Sequence, residues 1–260
     1  MNETNIGIAG VAASFVLIIV AVMLSGWQGL HLSRSILWAS ARAAVQLFLV
    51  GFALKLVLDP DASLLWSWLW VVGMVGFAGL TIRNRAREVP GIFLLGTVAM
   101  AAVMVVSLSV MFGFGMFPVE GRTIVPLAGM MIGNSMTASV VAGRRIVGEL
   151  QDKRDEVEAR LALGHAWPDA ARPYVRSALR TALIPQIEST KALGLVFLPG
   201  AMTGLVLAGV DAADAVSIQL AIMYLILGSV ATSITVIGLG LTRRLFTPDH
   251  RLRRALRVAG

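Results

Sequence analysis

Residues 91–114 read GIFLLGTVAMAAVMVVSLSVMFGF, without one charged side chain. A bilayer core of about 30 Å is crossed by roughly 20 apolar residues in helical form, so this stretch is long enough. A helix that is apolar on all sides needs either a large protein core or lipid around it. Composition decides between the two: the chain has 260 residues, 57% hydrophobic and 14% charged, with a mean hydropathy of +0.80. Soluble domains have about 45–50% apolar and about 25% charged residues, so the surplus apolar surface must face something other than water. Working outward, six further stretches qualify. The seven lie at about 6–25, 36–57, 63–82, 91–114, 123–142, 191–210 and 214–241. The expected fold is all-α: a polytopic integral membrane protein with about seven transmembrane helices, forming a single transmembrane domain over residues 1–260. The first stretch is expected to stay in place, because Met1-Asn2-Glu3-Thr4 has no positive charge and no small-x-small cleavage site follows. Trp27, Trp66, Trp68 and Trp70 fall near span ends, as interfacial aromatics do. Pro90, Pro118 and Pro126 fall at or just inside helix boundaries, where a missing N–H costs little.

The net charge of +7 and isoelectric point near 10.9 invite a nucleic-acid reading. The placement of the charges answers it. Alternating the seven spans puts Arg34, Arg83, Arg85, Arg87, the segment 143–190 and the Arg-rich C-terminus on one side. That side, with Arg42, holds 20 Lys and Arg against nine acids, whereas the other holds Arg122 and Lys55 against six. By the positive-inside rule the N-terminus is outside and the C-terminus cytoplasmic. The basicity is a topology signal, and no nucleic-acid partner is expected.

One connection is long. Residues 143–190, GRRIVGELQDKRDEVEARLALGHAWPDAARPYVRSALRTALIPQIEST, are read as a cytoplasmic helical hairpin. Arg144 to Gly164 is charge-rich and helix-forming, with Ile146, Leu150, Val157 and Leu161 as a partial apolar stripe. Gly164 is a helix stop, His165 to Asp169 a turn, and a second helix opens after Pro168 with Tyr174, Val175, Ala178, Leu179 and Ala182 on one face. Such a hairpin either lies on anionic lipid or serves as a docking lever for a soluble partner.

The residues of this lever carry a resemblance. Glu158-Ala159-Arg160-Leu161-Ala162-Leu163-Gly164 is similar to the Glu-Ala-Ala-x-x-x-Gly loop of ABC-importer permeases, with Arg160 at the second Ala. The wider chain, over roughly 36–250, resembles the FetB-type permease subunits of bacterial iron-export ABC transporters, a family that includes plant aluminium-tolerance half-transporters. The motifs are Ala41–Leu47, Gly133-Asn134-Ser135, Arg172-Pro173-Tyr174, Arg180–Pro185, Lys191–Val196, Leu198–Gly204, Leu207-Ala208-Gly209 and Arg243–Phe246. Glu188 stands where the resemblance leads one to expect Asn, and Ala201 where Met is usual. The resemblance implies a homodimer in the bacterial inner membrane, driven by a separate ATPase and exporting iron. It implies that Glu158, Ala159, Leu161, Gly164, Trp167 and Pro168 couple to that ATPase. The plant relatives imply a nucleotide sugar as an alternative cargo. A self-contained channel or secondary transporter is the rival from another class; repeated halves or mid-membrane ionisable groups would favour it.

The chain has no Gly-x-x-x-x-Gly-Lys-Ser/Thr to cradle phosphate, no His-Glu-x-x-His and no Gly-x-Ser-x-Gly. Its three histidines, His31, His165 and His250, are scattered, and cysteine is absent. No enzymatic activity, cofactor or metal site is expected of this polypeptide; ATP is used by the partner subunit. Polar residues within spans are costly and therefore informative. Arg42 and Gln46 lie one turn apart in the second span, where Arg42 either snorkels or lines a path. Asn134, Ser135 and Thr137 in the fifth either bridge helices or line a path for a hydrated or chelated metal. Oxygen donors suit iron better than thioethers, so the nearby Met130, Met131 and Met136 are read as gap-fillers. Gln186, Glu188 and Lys191 crowd the inner start of the sixth span; Glu188 and Lys191, i and i+3, either neutralise each other or form a gate. Pro199, Gly200 and Thr203 sit mid-span, where proline and glycine would kink the helix. Asp59, Asp61, Glu120, Asp211 and Asp214 fall outside; they either attract cations or merely reflect the scarcity of basic residues there, with Asp211 a cap for the seventh span.

Overall fold

The computed structural model describes residues 8–57, 63–194, 198–249 and 251–253. Its elements are α1 (Ile8–Trp27), α2 (Ser33–Val57), α3 (Leu64–Arg85), α4 (Ile92–Gly113), α5 (Gly121–Asp152), α6 (Arg154–Ala162), α7 (Trp167–Lys191), α8 (Gly200–Leu207) and α9 (Ala212–Leu245). An antiparallel bridge joins Phe246 and Leu252. Helices are the expected outcome, since a backbone in lipid must satisfy its polar groups internally.

The chain falls into two compact units, divided at Ala62 and Ser63. In the first, α1 packs on α2. Ser25 ties the connection between them: it is buried, and its hydroxyl accepts from the Leu32 amide at 3.1 Å.

In the second unit α5 and α9 are central, with α3 and α4 against one side and α7 on both. Small residues let these helices approach closely. Gly79 lies against Thr97, Gly96 against Ile82, and Gly240 against Leu95, so a Cβ at any of them would meet a neighbouring side chain. Ser107 and Ser229 share a buried hydrogen bond of 2.7 Å between α4 and α9. Helix ends follow the sequence chemistry. Asp211 caps α9 by accepting from the Ala213 amide at 2.8 Å, and Arg243 and Arg244 occupy its last turn, opposite the dipole's negative end.

Among the described residues five helices are long and apolar enough to cross a membrane: α2 over Ser33–Phe52, then α3, α4, α5 and α9. The bounds of α2, α3, α4 and α9 lie close to the stretches expected from hydropathy. Two differences have physical causes. First, α5 has 32 residues, about 48 Å of helix, so the first arm of the expected hairpin is the direct continuation of the fifth span. Nothing between Gly143 and Asp152 breaks a helix, and α6 follows after a single non-helical residue, Lys153. The other arm, α7, runs 25 residues from Trp167 to Lys191, as the expected second helix of the hairpin does. Second, the stretch 191–210 is not one kinked helix. The chain leaves α7 at Ala192, Gly194 takes a left-handed φ of 79°, and Pro199 is the N-cap of the eight-residue α8 rather than a kink inside it. Proline lacks the N–H that a continuous helix needs there. Asp59, Asp61 and His250 lie outside the described residues.

Candidate functional site

The long connection after the fifth expected span forms an elbow whose inner side is anchored and whose tip is bare. Val157 of α6 is fully buried. The Tyr174 hydroxyl donates to Glu156 Oε2 at 2.9 Å, tying α6 to α7. The Arg160 guanidinium stands over the Tyr174 ring, 5.9 Å from its centroid. Glu156 also accepts from Lys153 at 2.9 Å. These two hydrogen bonds, Lys153 first and Tyr174 second, hold the Glu156 carboxyl below its usual range. Burial, then the bond to Glu156, pushes the Tyr174 phenol up, and Glu156 raises Lys153. Trp167, first residue of α7, stacks on Phe246 just past α9, with centroids 5.6 Å apart. The turn from Phe246 to Leu252 closes over the same place, and Arg154 donates to the Leu252 carbonyl at 3.4 Å.

The six residues expected to couple therefore divide. Trp167 and Leu161 pack inward against the core. Glu158 is exposed and accepts from Arg154 at 2.7 Å, while Ala159 and Pro168 are exposed. Gly164 ends the α6 region with φ of 89°, a conformation side chains rarely adopt, so the sharp turn here requires glycine. The residue that sequence reasoning passed over is Leu163. It caps α6 and is 80% exposed at the tip of the elbow. Its signal was available: a leucine off the apolar stripe, directly before the stop.

From the elbow, α7 runs back along α9. Trp167 meets Phe246 at the basic end, and Leu179 fills the space beside Gly238. The two helices are thus antiparallel, and Lys191 lies 12 residues beyond Leu179, a rise of about 18 Å. The last turn of α7 is therefore far from Arg243 and Arg244 at the end of α9. The short α8, packed on α9, continues beyond the break. In this last turn Glu188 and Lys191 form an ion pair of 2.9 Å, both largely exposed. Thr190 donates to the Gln186 carbonyl at 2.8 Å, and Gln186 is half-buried. Thr203 is exposed and donates to the Pro199 carbonyl at 3.1 Å; Gly200 is exposed beside it.

On α5, Met130, Gly133, Asn134, Thr137 and Val141 recur at three- and four-residue spacing and are all exposed. Asn134 and Thr137 donate to the carbonyls of Met130 and Gly133, at 2.8 and 3.3 Å. Ser135 does not join them. One residue is about 100° of helix, and Ser135 turns into the core, where its carbonyl accepts from Ser233 at 3.4 Å and its own hydroxyl has no partner. Arg42 and Gln46 are exposed on α2, in the first unit. Among the described residues no three His, Asp or Glu are grouped to hold a metal ion.

The helices define an all-α protein with several apolar helices long enough to cross a membrane and a packed elbow at one end. The chain belongs to the Uncharacterised protein family UPF0014, whose model matches residues 8–246. It is 31% identical over 257 residues to the Probable iron export permease protein FetB of Escherichia coli K12, covering 97% of each chain. It is 36% identical over 232 residues to the UPF0014 membrane protein STAR2 of Oryza sativa, covering 89% of this chain and 81% of that one. It is 33% identical over 233 residues to the Protein ALUMINUM SENSITIVE 3 of Arabidopsis thaliana, covering 87% and 83%. No solved structure matches the chain. Membership in this family, relatives of which are named membrane proteins, together with the apolar helices, makes this a multi-pass membrane protein.

Proposed function

We propose that the chain is the membrane subunit of an ABC transporter that exports iron, working as two copies with two separate ATPase subunits. The observation that carries this reading is mechanical. The elbow α6–α7 is fastened by Val157, Tyr174–Glu156 and Trp167–Phe246, and it is continuous with the two helices, α5 and α7, that hold the polar face. A partner that grips Leu163 and the turn at Gly164 would move those helices as levers. Leu163 serves as the apolar knob and the exposed charges of α6 as its rim. The iron reading draws on the name of the Escherichia coli relative. In this arrangement α7 past Leu179, together with α8, makes one broken crossing. That yields seven crossings, with the N-terminus outside and the elbow in the cytoplasm. In this reading the second copy covers the exposed Asn134, Thr137, Glu188 and Lys191, since polar and charged groups are costly against lipid.

Co-expression with a P-loop ATPase from the neighbouring gene, and purification through a tag on this chain, should yield the ATPase in equal amount. Leu163→Asp and Gly164→Trp should lose it, or uncouple hydrolysis from transport, while the chain accumulates normally. A clean absence of ATPase, with transport surviving in the purified chain alone, contradicts the reading.

A further inference from the structure

We propose that Leu252 and the turn that carries it are a strap holding the elbow to the end of α9, so that a force on the elbow reaches α9 as well as α5 and α7. The inference rests on the reading above in treating the elbow as the part that a partner moves. The sequence after α9 builds the strap. Phe246 is extended, with φ of −110° and ψ of 154°, and Pro248 cannot continue a helix. The chain then doubles back. The Thr247 amide donates to the Arg251 carbonyl at 2.9 Å, the Arg251 amide to the Thr247 hydroxyl at 3.1 Å, and the Arg253 amide to the Leu245 carbonyl at 2.9 Å. That last bond satisfies a carbonyl which the end of α9 leaves without a helical partner. Extended residues alternate their faces, so Arg251 and Arg253 are exposed while Leu252 between them is buried in the core.

The strap touches both arms of the elbow. Phe246 stacks on Trp167 at the start of α7, and the Leu252 carbonyl accepts from Arg154 at the start of α6, at 3.4 Å. The same guanidinium donates to Glu158 at 2.7 Å, so Arg154 joins an exposed residue of the elbow to the strap. The helix it steadies is short. α6 has nine residues and buries Val157, and Glu156 and Arg160 tie it to Tyr174 of α7. A segment with so little buried surface opens locally unless it is also held from outside. Leu252 supplies that hold: set in the run Thr-Pro-Asp-His-Arg-Leu-Arg, it gains burial by this return of the chain. Leu252 is thus a positioning residue for the elbow, and α9 is the helix to which it fastens.

The test measures amide hydrogen exchange by mass spectrometry on the purified full chain in nanodiscs, alongside Fe(II)-stimulated hydrolysis with the ATPase in proteoliposomes. Leu252→Asp should speed exchange in α6 by about tenfold or more, as the loss of one buried leucine requires, while α4 keeps its protection. Leu252→Ala buries no charge and should act in the same direction, which keeps the test decisive if the aspartate variant does not accumulate. Leu252→Met should exchange as the wild type does. With the ATPase present, Leu252→Asp should keep it bound but lose most of the Fe(II) stimulation of hydrolysis, and Leu252→Met should retain it. Unchanged exchange in α6 for Leu252→Asp and Leu252→Ala, or α4 loosened as much as α6, overturns the inference. Full Fe(II) stimulation despite faster exchange in α6 overturns it too, because force then reaches the spans without the strap. Faster exchange in α6 with no ATPase bound to any form, wild type included, supports the strap and sinks the transporter reading instead.

Discussion

Two sides of the second unit expose very different chemistry. Outside its packed core, α4 presents Phe93, Leu94, Val98, Val105, Val106 and Val110, and α3 presents Trp66, Leu69, Val72, Phe77 and Leu80. These are lipid-compatible surfaces. The exposed positions of α5 and α7 include Asn134 and Thr137 in the middle of α5, and Glu188 and Lys191 in the last turn of α7. The same fold, with the same close packing of small residues, thus separates a face that lipid can cover from one that needs water, cargo or a second copy. Polar residues carry functional information in a membrane protein only when their face is known. Ser135, adjacent to Asn134, points into the core.

The strongest test of this contrast places a charge on each side. Val105→Asp puts a carboxylate near the middle of α4, 67% exposed, where insertion costs about 2.5–3.5 kcal/mol. The amount of folded chain in the membrane should fall about tenfold or more. Thr137→Asp on α5, also exposed, should accumulate close to normally. Comparable losses for both would remove the distinction. Fluorescence-detected size exclusion of the two variants gives the answer.

A smaller effect concerns the elbow that leads into α7. The Glu156 carboxyl is held below its usual range by Lys153 and Tyr174. A depressed folded-state value means that its contribution is present above the unfolded carboxylate range and is lost as pH falls through the folded one. Amide exchange in α6 and the first turns of α7 should therefore rise on acidification, while α4 stays protected. Tyr174→Phe should shrink the acid-induced change, because one of the bonds holding Glu156 ionised is gone. Uniform loosening of α4 and the elbow would show that the two sides share one stability.

Much of the architecture was legible because hydropathy and caps act locally. The spans now seen as α2, α3, α4 and α9, the cap at Asp211 and the stop at Gly164 all follow from neighbours in sequence. The path of α7 was not legible. Glu188 and Lys191 read as lying at the start of a sixth span, whereas they end a helix whose course along α9 is set by contacts such as Leu179 on Gly238, which is a tertiary fact. The run from α5 into the elbow was missed for the converse reason: charge density suggested a new element where the backbone simply continues. Of the site, the Glu188–Lys191 pair was visible from spacing alone, whereas the inward turn of Trp167 onto Phe246 required a partner 79 residues away.

The chain has no cysteine, so single cysteines report cleanly on which face meets water. The most direct measurement introduces one each at Thr137 and Ile184, on the exposed faces of α5 and α7, and at Val72 and Val105, on those of α3 and α4. Each is then reacted in intact membranes with a water-soluble, positively charged thiol reagent. Faster labelling at Thr137 and Ile184, by about tenfold or more given the cost of bringing a charge into lipid, is the result this account predicts. Equal rates at all four, or faster labelling at Val72 and Val105, would contradict it.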